Sequence, residues 1–165
     1  MKPPRAFHRF FLILALFQPA ILFAENNTII LSVFGELACC PEGEVHLTQA
    51  DLLAMPQSRF ATRTPWTREQ NHYQGVSLED LASLIGLTTK RMRLTALNRY
   101  TTEVDVQPLI RGGAILAILR DDQPMPVRHQ GPIWLLLPLD DKPHLNTADY
   151  HHTLVWQLRS IHALD

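Results

Sequence analysis

Two runs in this sequence, residues 114–119 and 133–137, are apolar almost throughout. Asp121, Asp122, Gln123 and Pro124 turn the chain after the first, and Pro132 and Pro138 bracket the second. Short, wholly apolar runs bounded by turn residues read as strands covered on both faces. Such strands need packed layers on either side.

The surrounding pattern is β-rich. Residues 28–34 are apolar and β-branched, and Gly35 ends them. Residues 58–62 read as a strand entering a polar loop. Residues 91–96 alternate, with Met92 and Leu94 on one face, and 101–106 alternate again. Residues 154–161 place Leu154, Trp156 and Leu158 on one face of a last expected strand. Two helix starts are signalled by capping boxes, Thr48 with Asp51 and Ser77 with Asp80. The first helix stops before Pro56. The second carries Leu78, Leu81, Leu84 and Ile85 at helical spacing and ends at Gly86. About seven strands and two or three short helices, without repeat or linker, predict one α+β domain.

The first 24 residues stand apart. Lys2, Arg5 and Arg9 precede an apolar stretch over 10–17, and Leu22-Phe23-Ala24 supplies a cleavage site. This is the pattern of a secretory signal peptide. Gln18 and Pro19 interrupt the apolar run, which is too short for a spanning helix. Arg5 and Arg9 are not adjacent, so the twin-arginine pattern is missing. The expected organisation is a signal peptide over 1–24 and one exported, periplasmic domain over 25–165. Without the leader the balance is 12 basic to 16 acidic residues, which argues against a nucleic-acid partner. In an oxidising compartment Cys39 and Cys40 have three readings: a vicinal disulfide, a bridge to a partner, or two small residues beside the Pro41-Glu42-Gly43 turn. A structural or incidental role is expected.

Catalytic signatures are sparse. There is no phosphate loop, dinucleotide fingerprint, zinc-protease helix or nucleophile elbow. His151 and His152 are neighbours, and read as strand residues they point to opposite faces, so no metal site is expected. Three polar, aromatic stretches remain. Residues 62–67 offer Arg63 and Trp66 around a rigid Pro65, a donor fork beside a stacking face. Residues 126–132 set Arg128 and His129 beside Gly131, which permits close backbone approach. Asn98, Arg99 and Tyr100 form a third polar break. A core cap at Trp66 and plain surface turns elsewhere would explain the same residues.

These stretches also carry a family resemblance. The run FATRTPWT…YQGVSLEDLASLIG, then LTALNRYTTEVDV, GGAILAILRDDQPMPVRHQGPIWLLLPLD and VWQLRSI, resembles the sulfite oxidase-like molybdopterin-binding fold. It resembles most the small exported members of that fold, over roughly residues 32–161. The resemblance implies a mixed, β-rich α+β fold with short helices and a pterin held in a loop-lined cleft. Pterin-binding residues would be Arg63, Trp66, Asn98, Tyr100, Arg128 and Gly131. Molybdenum enzymes of this fold hold the metal through a Cys thiolate after an early core strand. Residues 60–66 contain no Cys, and a hydroxyl is a poor substitute for a soft thiolate. The resemblance therefore implies a non-catalytic, non-molybdenum pterin binder. Its partner would be a membrane receptor such as a cyclic-dinucleotide enzyme or a histidine kinase. The alternatives are a molybdopterin-dependent oxidoreductase and a ligand-free interaction module. Mass spectrometry of the exported protein is expected to find Glu25 at the N-terminus; an intact leader in the membrane fraction would identify an anchor instead.

Overall fold

The computed structural model describes residues 28–164, and the expected signal peptide over 1–24 lies outside them. Two sheets organise the chain. The first is ordered β2-β1-β10-β5-β6, from β1 (Ile29–Phe34), β2 (Glu44–Thr48), β5 (Arg91–Ala96), β6 (Thr101–Asp105) and β10 (Leu158–Leu164). Its β1–β10 pair is parallel and its other pairs are antiparallel. The second runs β3-β4-β7-β8, from β3 (Ser58–Thr62), β4 (Asn71–Ser77), β7 (Ile115–Arg120) and the two-residue β8 (Gln123–Pro124), with β9 (Trp134–Leu136) also paired to β7. All its pairs are antiparallel. The helices are α1 (Gln49–Ala54), α2 (Leu78–Ile85), α3 (Val106–Gly112) and α4 (Ala148–His151). This is the expected α+β, β-rich architecture.

Alternation builds the core. Leu31 and Val33 of β1, Met92 and Leu94 of β5, and Ile161 of β10 share one buried cluster with Val76, Leu116 and Ile118 of the second sheet. Leu78, Leu81 and Ile85 of α2 join them. The opposite residues of β7, Ile115 and Ala117, enter a second cluster with Tyr73, Met125, Trp134 and Leu136. The second sheet is thus covered on both faces, as the two apolar runs required. Fully burying one such aliphatic side chain contributes about 1.5–3 kcal/mol.

Thr48 and Asp51 form the full reciprocal box, whereas Ser77 caps α2 through its hydroxyl alone, because the Asp80 carboxylate accepts from that hydroxyl at 2.6 Å and not from the Ser77 amide. Thr48 Oγ1 accepts from the Asp51 amide at 3.2 Å, and Ser77 Oγ from the Asp80 amide at 2.9 Å. Gly86 closes α2 at φ +66°, a left-handed position where a side chain would be strained.

Three differences from the sequence reading have local causes. β2, β4 and β8 were not expected. β4 reads as polar, yet Tyr73, Gly75 and Val76 are buried, because Gly75 lets the Leu116–Ala117 backbone close in where a Cβ would collide. α3 replaces the end of an expected strand; Pro108 sits in its first turn, where no amide is needed. The last strand begins at Leu158 and not at Leu154, because Gln157 adopts φ +53° and breaks the extended run. Leu154, Trp156 and Leu158 therefore do not share one strand face.

On the outer face of the first sheet Phe34 stacks on His162, centroids 4.4 Å apart and planes 19° off parallel. Burial, and then the neighbouring Arg93 guanidinium, hold the His162 imidazole below its ordinary value of 6.5. The unfolded chain therefore takes up this proton first, so the contribution is present above pH 6.5 and is lost as pH falls through the folded-state value. Urea titrations are expected to show this acid loss in wild type and a shallower one in His162→Phe. Equal slopes would contradict it.

Candidate functional site

The chain's three tryptophans converge at one end of the second sheet. Trp134 is fully buried in β9 and donates its indole N–H to the Leu154 carbonyl at 3.0 Å. Trp156 lies edge-on to it, with centroids 6.2 Å apart. Trp66 meets Trp156 at 4.9 Å and 80°, so two ring planes stand nearly perpendicular. Edge-to-face geometry is the favoured arrangement for such quadrupoles.

Trp66 owes its position to a hydroxyl-rich turn. Buried Thr62 ends β3 and accepts from the Asp140 amide at 3.1 Å. Thr64 and Thr67 then close the turn, through Thr64 N–H to Thr67 Oγ1 at 2.9 Å and Thr67 N–H to the Thr64 carbonyl at 3.1 Å. The Trp66 amide donates to Thr64 Oγ1 at 3.3 Å. Pro65 makes the turn stiffer still.

Beside this pair opens a cavity of about 310 Å³. Its walls are Trp66, Trp156, Asn98, Tyr100, His151 and His152; Ala96, Leu154 and Val155 complete the lining. Asn98 and Tyr100 come from the β5–β6 hairpin. Asn98 Oδ1 accepts from the Tyr100 amide at 2.9 Å, which leaves its side-chain amide as a donor. Tyr100 Oη reaches the His152 carbonyl at 3.4 Å. His151 Nε2 contacts Asn146 Oδ1 at 2.7 Å, the distance of a donated N–H, which would leave Nδ1 as an acceptor. The lining contains no Lys, Arg, Asp or Glu. The site is therefore apolar and aromatic, with a few polar atoms on its walls.

Of the six expected pterin residues, Trp66, Asn98 and Tyr100 come together here. The other three do not line this cavity. Arg63 turns to Asp140, with Nε 3.4 Å from its carboxylate, and its amide donates to the same group at 3.2 Å. Arg128 is exposed on a 3-10 turn, Val127–His129. Gly131 packs so tightly on the Met125 carbonyl that a Cβ would collide, so its bareness serves the fold. Sequence reasoning missed Trp156, His151 and His152. In sequence, Trp156 has the spacing of a strand residue on a core face. The histidines have that of strand neighbours facing apart, but His151 ends the short helix α4 and His152 follows it, so both reach one cavity. The signal available was the density of aromatic and His residues over 150–156.

No family model and no curated protein matches this chain. Its fold is nevertheless that of known structures. The sulfane dehydrogenase SoxCD from Paracoccus pantotrophus superposes with a TM-score of 0.60 over 82% of this chain and 38% of that one, at 16% identity. This chain spans well under half the length of that neighbour. The likeness assigns a sulfite oxidase-like fold.

A molybdenum centre held by a thiolate does not fit the residues present. The loop after β3 offers Thr62 and Thr64, whose hydroxyls are committed to the turn and to Asp140. Cys39 and Cys40 are joined to each other as a vicinal disulfide. Among the described residues no group of three His, Cys, Asp or Glu side chains is arranged to hold a metal ion. The disulfide lies on the β1–β2 loop, where the Ala38 and Cys39 amides bond the end of α2, and neither Cys lines the tryptophan cavity. Cys39→Ser with Cys40→Ser is therefore expected to leave affinity at the tryptophan cavity within about threefold, under ~0.7 kcal/mol. A tenfold loss in a folded double variant would place the pair in the binding site.

Proposed function

We propose that this chain is a non-catalytic, periplasmic pterin-binding protein that relays pterin availability to a membrane signalling protein. The observation that carries the reading is the uncharged aromatic cavity, with Trp66 and Trp156 held perpendicular at 4.9 Å. A pterin is flat and bears donors and acceptors along one edge. It needs a stacking face and a few aimed polar groups. Either indole can supply the face. The Asn98 amide, Tyr100 and His151 can meet the edge.

The same lining argues against molybdopterin as the resident ligand. No Lys or Arg of the wall would meet its phosphate. The dehydrogenase neighbour favours the second reading, a molybdopterin-dependent oxidoreductase. Metal analysis of protein taken from the periplasm separates the two, since stoichiometric molybdenum would overturn the binder.

Export through the expected signal peptide supports a periplasmic location. Among the described residues no helix is long and apolar enough to cross a membrane.

The decisive test is titration of reduced and oxidised pterins, read by quenching of the clustered tryptophans. Wild type is expected to bind, and Trp66→Ala or Trp156→Ala to lose roughly fivefold to a hundredfold, about 1–3 kcal/mol each. Trp66 is the cleaner probe because it is 41% exposed and adds little to the core. If wild type binds no pterin, or both variants bind equally well while folded, the reading fails.

A further inference from the structure

Four of the seven large hydrophobic side chains exposed among the described residues lie at one place, Trp66, Leu97, Tyr100 and Val127. Leu97 and Val127, 40% and 50% exposed, add nothing to the cavity wall or the core. They belong to separate loops, the β5–β6 hairpin and the 3-10 turn before β9. One residue ties both loops together. Gln157 accepts from the Leu97 amide at 2.9 Å, donates its own amide to the Gln130 carbonyl at 2.9 Å, and donates Nε2–H to the Val127 carbonyl at 2.8 Å. The apolar ridge is therefore held in place by a residue next to Trp156, a wall of the cavity.

The charge on this ridge is one-sided. Segments 96–100, 126–131 and 154–159 carry Arg99, Arg128 and Arg159 and no Asp or Glu. All three arginines are exposed, and none forms an ion pair or side-chain hydrogen bond among the described residues. Arg59, Arg63, Arg91 and Arg93, by contrast, each face an acid of this chain. Acids stand farther round the cavity, where Glu69 and Asp121 share a groove with Trp66, Arg68 and Arg120, and Glu103, Asp105 and Asp149 share one with His152 and Arg91. A cluster of unpaired arginines on a chain of formal charge −1 is not needed for solubility. Exposed aromatics such as Trp66 and Tyr100, with Arg on the adjoining segments, are the residue types enriched in protein-docking patches.

From this we infer that the mouth of the tryptophan cavity is a docking surface for an acidic, apolar-tipped segment of another protein. Leu97 and Val127 supply the contact that excludes water, and Arg99, Arg128 and Arg159 pair with the partner's carboxylates. The segment would cover half-exposed Trp66 and Tyr100, so it would read the cavity directly. A lipid surface fits less well, since two aliphatic side chains bury too little apolar area to hold a protein at a membrane. The inference rests on the binding reading only for what the contact reports; the contact itself is measured separately.

The experiment places a photo-crosslinking p-benzoyl-phenylalanine at Val127, and as a control at Leu84, on the full chain in living cells. Adducts are digested and sequenced. The expected result is an adduct from position 127, and none from 84, to a protein segment rich in Asp and Glu. Arg99→Glu with Arg159→Glu should cut that adduct at least tenfold, while pterin affinity of the purified variant stays within threefold. An adduct to lipid, to a second copy of this chain or to a segment without acids would overturn the inference. So would no adduct at 127, or one that charge reversal leaves unchanged. Failure of wild type to bind pterin would sink the cavity reading alone, because adduct formation does not depend on it.

Discussion

The indole N–H of Trp134 is the constraint on which the site depends. A buried donor must find an acceptor, because an unpaired one costs about 1–3 kcal/mol. Trp134 finds the carbonyl of Leu154, well along the chain and outside any strand. That bond fixes the segment entering β10. The Leu135 N–H to the Val155 carbonyl adds a second tie at 3.0 Å. With 154 and 155 pinned, Trp156 has one place to go, and Trp66 packs against it. The cavity is the space left beside rings that core packing has already oriented.

Much of the architecture was legible because it rests on local rules. The helix caps at Thr48 and Ser77, the Gly86 stop and the alternation in β5 and β6 each follow from neighbours in sequence. Elements set by distant contacts were hidden. β4 looks polar until Leu116 and Ala117 close on Gly75, and α3 looks broken until Pro108 falls in its first turn. The site divides along the same line. Trp66, Asn98 and Tyr100 announced themselves by residue type inside rigid loops. His151, His152 and Trp156 depend on the chain leaving the extended state before Leu158, which the turn of α4, the Trp134–Leu154 bond and the bonds of Gln157 dictate together. Arg63 and Gly131 carried suggestive chemistry, but Asp140 and the Met125 carbonyl had prior claims on them.

A shared fold does not by itself carry a shared function. The sulfite oxidase-like scaffold is shared with a dehydrogenase at 16% identity, yet the loop after β3 ends in hydroxyls already committed to structure. A scaffold that brings loops together at one end of a sheet can carry different chemistries in those loops.

The parallel pairing of β1 with β10 sets the order in which the molecule can be completed. Ser32 lies beside Ser160 and Val33 beside Ile161, so the first strand of the domain waits for the last before the sheet is whole. Until then β1 has only β2, and its other edge is open. Non-local pairing of this kind is slow, since the entropy of closing nearly the whole chain comes before any reward. A chain threaded from its N-terminus across a membrane would present that unpaired edge throughout transit, and a protein truncated near its C-terminus could not finish the first sheet at all.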